Sequence, residues 1–344
     1  MNKFSLLIFA LIIYAEAAEM IYPQCDCLKD IINKKTSEFV SAQAYLEKVF
    51  NQANFTEGPA YSPSGKVYFS DQTFNPPTQD QAGRIYVYDP QRDTTEVFLS
   101  PSGMSNGLAF DKDGNLIICE GADKGGRRIS KIYIADKSIT TISDSYNGKK
   151  YNSPNDIYID AEGSIYFTDP RYSGDETIEQ DAKGVYKILP SGEVIRIISN
   201  INMPNGICVS PNGKTLYVSA NDESLSEYAE ENGLLLGSFI AEYDIVSERE
   251  VKFKRIFHKF ENGVGPDGIT VDGEGSLYAA VRDESDPAIW IFRSSGEPID
   301  AIRMPEVPSN VEFGRGAEKN ILYITAGQSL YKIKTLKTGF HIGE

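Results

Sequence analysis

The sequence predicts an all-β chain: a six-bladed β-propeller with four-stranded blades, closed by an N-terminal strand. Three observations lead there. Six stretches read as an apolar run, a turn rich in Gly, Asp, Asn or Pro, and a second apolar run: EGPAYSPSGKVYFSD, NGLAFDKDGNLIICE, NDIYIDAEGSIYFTD, NGICVSPNGKTLYVS, DGITVDGEGSLYAAV and NVEFGRGAEKNILYIT. Their turn positions step through 65, 114, 163, 213, 275 and 318, roughly the period of one propeller blade. A carboxylate or carboxamide stands eight residues before each: Glu57, Asn106, Asn155, Asn205, Asp267 and Asn310.

Each of the six stretches is a β-hairpin by its alternation and turn residues. Between them lie further strand pairs, RIYVYDPQRDTTEVFL, KIYIADKSITTIS, GVYKILPSGEVIRIIS, AEYDIVSEREVKFKRIF and AIWIFRSSGEPIDAIRM, which bring each unit to four strands. After the last hairpin only SLYKIKTLKTGF remains, while AYLEKVF precedes the first hairpin as an unassigned strand. That N-terminal strand is expected to complete the last blade, because an open ring would leave long unpaired edges. The repeat assigns residues 45–344 to a single propeller domain.

Ahead of it, residues 1–17 read as a cleaved secretory signal. A short positive start precedes the apolar FSLLIFALIIYA, and Ala15-Glu16-Ala17 fits small-x-small cleavage. The expected location is therefore extracellular, with no membrane span. Residues 18–44 form an N-terminal extension whose mixed pattern, CLKDIINKKTSEFVSAQAYL, is compatible with a short amphipathic helix packed on one propeller face. The cysteines divide in two. Cys119 and Cys208 sit in strands of different units as buried small hydrophobes, while Cys25 and Cys27 form a C-x-C in the extension. Asn54-Phe55-Thr56 is a glycosylation sequon beside Glu57.

A formal charge of −15 lacks the basic footprint that nucleic acid or anionic membrane requires. The two histidines, His258 and His341, have no zinc-ligand spacing, and neither a nucleophile elbow nor a phosphate-cradling Gly-rich loop is present.

The chemistry gathers at the repeated polar position. In a radial repeat the same offset aims each side chain at the same axis, so oxygen donors remote in sequence converge where a hard cation would sit. A second set at matched offsets, Asp71, Glu120 and Asp169, is expected to surround the same mouth, with Arg282 following the fifth hairpin. Asn-Gly and Asp-Gly are also turn signals in their own right. For Asn106 and Asn310 the turn reading is favoured. Glu57, a poor turn former at the shared position, carries the ring reading.

With E-G-P in the first unit, S-P-N-D before a strand ending Y-F-T-D-P, P-N-G in the fourth unit and P-D-G in the fifth, the chain resembles the SMP-30/gluconolactonase/luciferin-regenerating-enzyme family. The resemblance covers nearly everything after about residue 45. It implies four metal ligands, Glu57, Asn155, Asn205 and Asp267, and hydrolysis of a lactone or related ester. Two carboxylates and two amide oxygens suit one divalent cation, calcium first, with magnesium, manganese or zinc as alternatives. Asp267 is the expected catalytic group, as general base or as direct nucleophile. Asn106, Glu120, Asp169 and Arg282 are candidates for binding substrate. The rival reading is a non-enzymatic secreted binding propeller, since Y-F-T-D is similar to the Y-W-T-D repeats of receptor propellers. Loops 72–83, 121–130, 172–183 and 222–237 are expected to set specificity.

Overall fold

The computed structural model describes residues 37–221, 235, 237–260 and 264–341. Six antiparallel four-stranded sheets follow one another around an axis. In blade 1 the strands run Thr56–Tyr61, Val67–Asp71, Arg84–Asp89 and Thr94–Leu99, in that order from inside to outside. The innermost strands of blades 2 to 6 are Ser105–Phe110, Ile157–Ile159, Pro204–Val209, Pro266–Val271 and Pro308–Phe313. Blade 6 takes three strands from the C-terminal end of the chain and its fourth, Glu47–Phe50, from the other end, paired antiparallel with Ser329–Lys334. The ring therefore closes as expected, and backbone pairing between the two ends of the propeller locks the first blade to the last.

Each sheet is covered on both faces by its neighbours, so its strands are apolar on both sides. The core is accordingly six separate clusters, one for each junction between blades. Tyr68, Ile85 and Val87 of blade 1 pack on Leu108, Leu116 and Ile118 of blade 2, and Tyr61, Phe69 and Tyr88 of blade 1 pack on Tyr323 and Leu330 of blade 6. Cys119 and Cys208 are buried free thiols in such junctions.

The leader and residues 18–36 of the extension lie outside the described residues, as do Cys25 and Cys27. Over residues 37–46 the helical expectation is replaced by irregular chain. Ser37 Oγ donates to Asp300 Oδ2 (2.7 Å), Val40 bridges Thr335, and Phe39 packs edge-on against Tyr278. Burying Phe39 and Val40 in the cluster of blades 5 and 6 outweighs the weak helical periodicity of so short a stretch.

Candidate active site

Five of the six repeated polar residues lie in inner strands, and Asn155 stands two residues ahead of its own, Ile157–Ile159. In five of the six inner strands the pairing register slips beside the repeated position, at Glu57/Ala60, Ser105/Leu108, Pro204/Ile207, Pro266/Ile269 and Pro308/Asn310. A bulge of this kind re-aims side chains out of the ordinary alternation. Asn106 thus belongs to a bulged strand, and the Asn-Gly pair that suggests a turn marks the bulge instead.

The glycine that follows most ring residues answers to a second constraint, the closeness of neighbouring inner strands. A Cβ on Gly206 would lie 2.4 Å from the Asp267 carbonyl oxygen, and one on Gly268 would lie 2.0 Å from Asn310 Oδ1. Small donors on the second strand of a blade then bond the ring backbone of the next blade. Ser70 Oγ donates to Asn106 O (2.8 Å), Cys119 Sγ to Asp156 O (3.7 Å), Thr168 Oγ1 to Asn205 O (2.7 Å) and Ser219 Oγ to Asp267 O (2.7 Å). These donors escaped the sequence reading. Their signal is a Ser, Cys or Thr near the end of the second strand of every hairpin but the fifth, which has Ala280.

Glu57, Asn106, Asn155, Asn205, Asp267 and Arg282 line one cavity of about 500 Å³. Phe55, Gln72, Phe74, Tyr172, Lys183, Met203 and Asn221 complete its wall. Two of the expected specificity loops, 72–83 and 172–183, therefore reach the site. The 121–130 loop lies off it, and most of 222–237 is outside the described residues.

Asn310 turns the other way. Its Oδ1 accepts the Val311 N–H and its Nδ2 donates to Asp156 Oδ1 (3.4 Å), on the far side of the ring. Glu120 and Asp169 are not at the mouth either. Glu120 is occupied by Arg128 Nε (2.7 Å) and Ser130 Oγ (2.5 Å) within its own blade. Asp169 accepts the N–H groups of Asn152 (2.8 Å) and Ser153 (2.7 Å), as Asp71 accepts those of Asn54 (2.7 Å) and Phe55 (3.1 Å). The physical reason is strand alternation. At the end of the second strand one side chain faces the next blade, so the following one turns back to the loop that enters its own inner strand. Asp71 and Asp169 fasten the loops leading to Glu57 and Asn155 and leave substrate to others.

The cavity holds two buried acids, Glu57 and Asp267, and two basic side chains, Arg282 and Lys183. Burial, then the neighbouring Asp267 carboxylate, push the Glu57 carboxyl well above the ordinary range, and Arg282 opposes them. Burial also raises Asp267, while Arg282 Nη1, donating to Asp267 Oδ2 at 2.7 Å, pulls it back. Arg282 is ion-paired with Asp267, and Glu57 has no ion pair among the described residues. Asn205 Nδ2 donates to the Tyr172 hydroxyl (3.1 Å), and Asn106 Oδ1 is buried with no hydrogen-bond partner. No group of three or more His, Cys, Asp or Glu stands together among the described residues. The repeated position instead supplies a mixed set of two carboxylates and three carboxamides, with one orphaned oxygen. That donor chemistry fits a hard divalent cation.

These features define a closed six-bladed propeller with an acidic, amide-lined pocket at one end of its channel. Residues 114–328, more than half of the chain, match the model of the SMP-30/Gluconolactonase/LRE-like region, and the protein belongs to that family. It is 29% identical over 326 residues to a gluconolactonase of Zymomonas mobilis, covering 86% of this chain and 82% of the relative. It is 25% identical over 280 residues to lactonase drp35 of Staphylococcus aureus, covering 80% and 77%. Among solved structures, a gluconolactonase from Xanthomonas campestris superposes with a TM-score of 0.72 at 26% identity, covering 85% of this chain and 89% of that one.

Proposed function

We propose that the protein is a divalent-metal-dependent hydrolase of lactones or closely related esters, and that it acts outside the cell. The observation that carries the reading is the convergence of Glu57, Asn155, Asn205 and Asp267 from four blades on one cavity, two carboxylates and two carboxamides with oxygen donors turned to a common point. Kinship with proteins named gluconolactonase and lactonase supports the substrate class. The apolar stretch and small-residue site in residues 1–17 support export.

Those four residues would hold the cation, calcium before magnesium, manganese or zinc given all-oxygen donors. When bound, it supplies polarisation of the ester carbonyl and stabilisation of the developing oxyanion. Asp267 accepts the proton of the attacking water. Its carboxyl is raised by burial, which makes it a better base than an exposed aspartate, and the Arg282 bond fixes its orientation. Asn106, with its unsatisfied Oδ1, and Arg282 stand ready to orient the substrate. The aromatic rim of Phe55, Phe74 and Tyr172 narrows the entrance.

The test is hydrolysis of an aldonolactone and an alkyl lactone by the purified mature protein, with calcium and after chelation. Activity that disappears with chelator and returns with calcium is expected. Folded protein inactive on both lactones in both states would overturn the reading in favour of a binding propeller.

A further inference from the structure

The ring divides the channel in two. A second cavity of about 450 Å³ lies on the other side, and no residue lines both. The switch takes a single step along the chain: Glu57 faces the upper cavity and Gly58 the lower, Asn155 the upper and Asp156 the lower. Asp156 stands where blades 1, 2, 4 and 5 carry glycine. Its carboxylate fills the axis, accepting Ile207 N–H (3.2 Å) and Asn310 Nδ2.

Below this partition the wall is apolar, made by Leu108, Ile157, Ile207, Ile269, Val271 and Val311 of the inner strands. Glu312, Arg315 and His341 meet this wall, and a charged rim surrounds it, with Asp111, Asp113, Asp160 and Glu162 beside Lys112 and Lys131. His341 Nε2 lies 3.0 Å from the carbonyls of both Phe313 and Gly314, which makes it the protonated nitrogen, and Nδ1 faces Glu312 Oε1 at 3.5 Å. Burial, then Arg315, push the imidazole down to about 4, and burial pushes the Glu312 carboxyl up to about 8, so both are mainly neutral near pH 7. Arg315 Nε is buried without a hydrogen-bond partner among the described residues. No carboxylate of the rim is ion-paired with Arg315 among the described residues, and Asp111 and Asp160 pair instead with Lys131 (2.8 Å) and Lys187 (3.3 Å). A buried guanidinium donor without an acceptor is unfavourable unless something supplies one. A cavity of this size, apolar with a few convergent polar groups, has the form of a small-molecule site.

We propose that the lower cavity is a second ligand site, which takes a small amphipathic carboxylate with its alkyl body along the inner-strand wall and its headgroup on Arg315. The site is separate from the lactone-cleaving pocket and stands whether or not that function is correct.

Calorimetric titration of the full chain with octanoate tests it, with octanol as the uncharged control. Saturable binding of octanoate is expected, at least tenfold weaker for octanol, weakened at least tenfold by Arg315→Gln and unaltered by Glu57→Gln. In a second measurement, independent of any variant's folding, a diazirine-bearing alkanoate should label peptides of the lower channel, 204–209 or 308–315. Absence of saturable binding, affinity undiminished in a folded Arg315→Gln protein, loss of binding in Glu57→Gln, or labelling confined to the upper pocket would each overturn the proposal.

Discussion

Arg282 bonds the Asp267 carboxylate at 2.7 Å while its guanidinium lies 5.4 Å above the Phe55 ring, so one side chain joins the fifth blade's acid to the aromatic rim of the first. The cation holds Asp267 lower than burial alone would leave it. Replacing it with glutamine in Arg282→Gln should raise the Asp267 carboxyl further. A base must be deprotonated to act, so the acid limb of the kcat/KM profile should move to higher pH and the variant should lose most activity at the acid end. An acid limb in the same place as in the parent protein would show that Arg282 does not tune the base.

Asp267 itself admits a sharper test. Asp267→Asn keeps the side chain's volume and one oxygen donor but removes the proton acceptor. Turnover should fall by roughly 10²–10⁴. Steady-state rates measured at saturating calcium check this, and near-normal turnover would remove Asp267 from the role of base or nucleophile.

A backbone test of the ring comes from Gly206. Alanine there would put Cβ 2.4 Å from the Asp267 carbonyl and 2.8 Å from Ile269 N, both backbone atoms that cannot rotate away. Gly213 is the control, since its φ of +69° strains any other residue but its Cβ would meet nothing within 4 Å. Gly213→Ala should cost about 1–2 kcal/mol in urea denaturation and spare turnover. Gly206→Ala should cost more and depress turnover, because Asp267 must move. Equal losses in both variants would mean that the neighbouring strands give way.

How far the sequence carried follows from the same contacts. The blade count and the closing strand were legible because an eight-residue offset and a turn recur in every unit, and a closed ring has one way to use a spare strand. Glu57, Asn155, Asn205, Asp267 and Arg282 were found because periodicity fixes direction as well as position. Glu120 and Asp169 were misplaced because offset alone does not say which face of a strand end is turned to the channel. Asn310 is the related case, where an identical position turns to the other side once Asp156 is there to bond it. Asp156 was visible only as the one acid in a column of glycines. Arg315 stands in the turn of the sixth unit, where no other unit has an arginine, and His341 follows the last strand, so no offset pointed to them.

The lower channel also predicts a pH dependence of stability. Glu312 is raised from 4.5 to about 8, chiefly by burial, with Asp156 adding to the rise and Arg315 opposing it. Between those values the native state holds more protons than the unfolded one, so stability falls as pH rises through the window. Asp156, raised to about 7, contributes a falling slope that flattens past that value. His341 works in the opposite sense, its contribution complete above its ordinary 6.5 and lost as pH drops towards 4. Above pH 7 the Glu312 slope is the larger of those left, with the Asp156 slope fading towards pH 8. Between pH 7 and 8 the Glu312 slope amounts to at most about 1 kcal/mol, less whatever channel water screens. Thermal melts of the parent protein should therefore decline over that interval, and Glu312→Gln, which lacks that proton, should decline less steeply, with only the tail of Asp156 and Asp169 and the raised Glu57 left to titrate. A parallel decline in the variant would place the titrating group elsewhere.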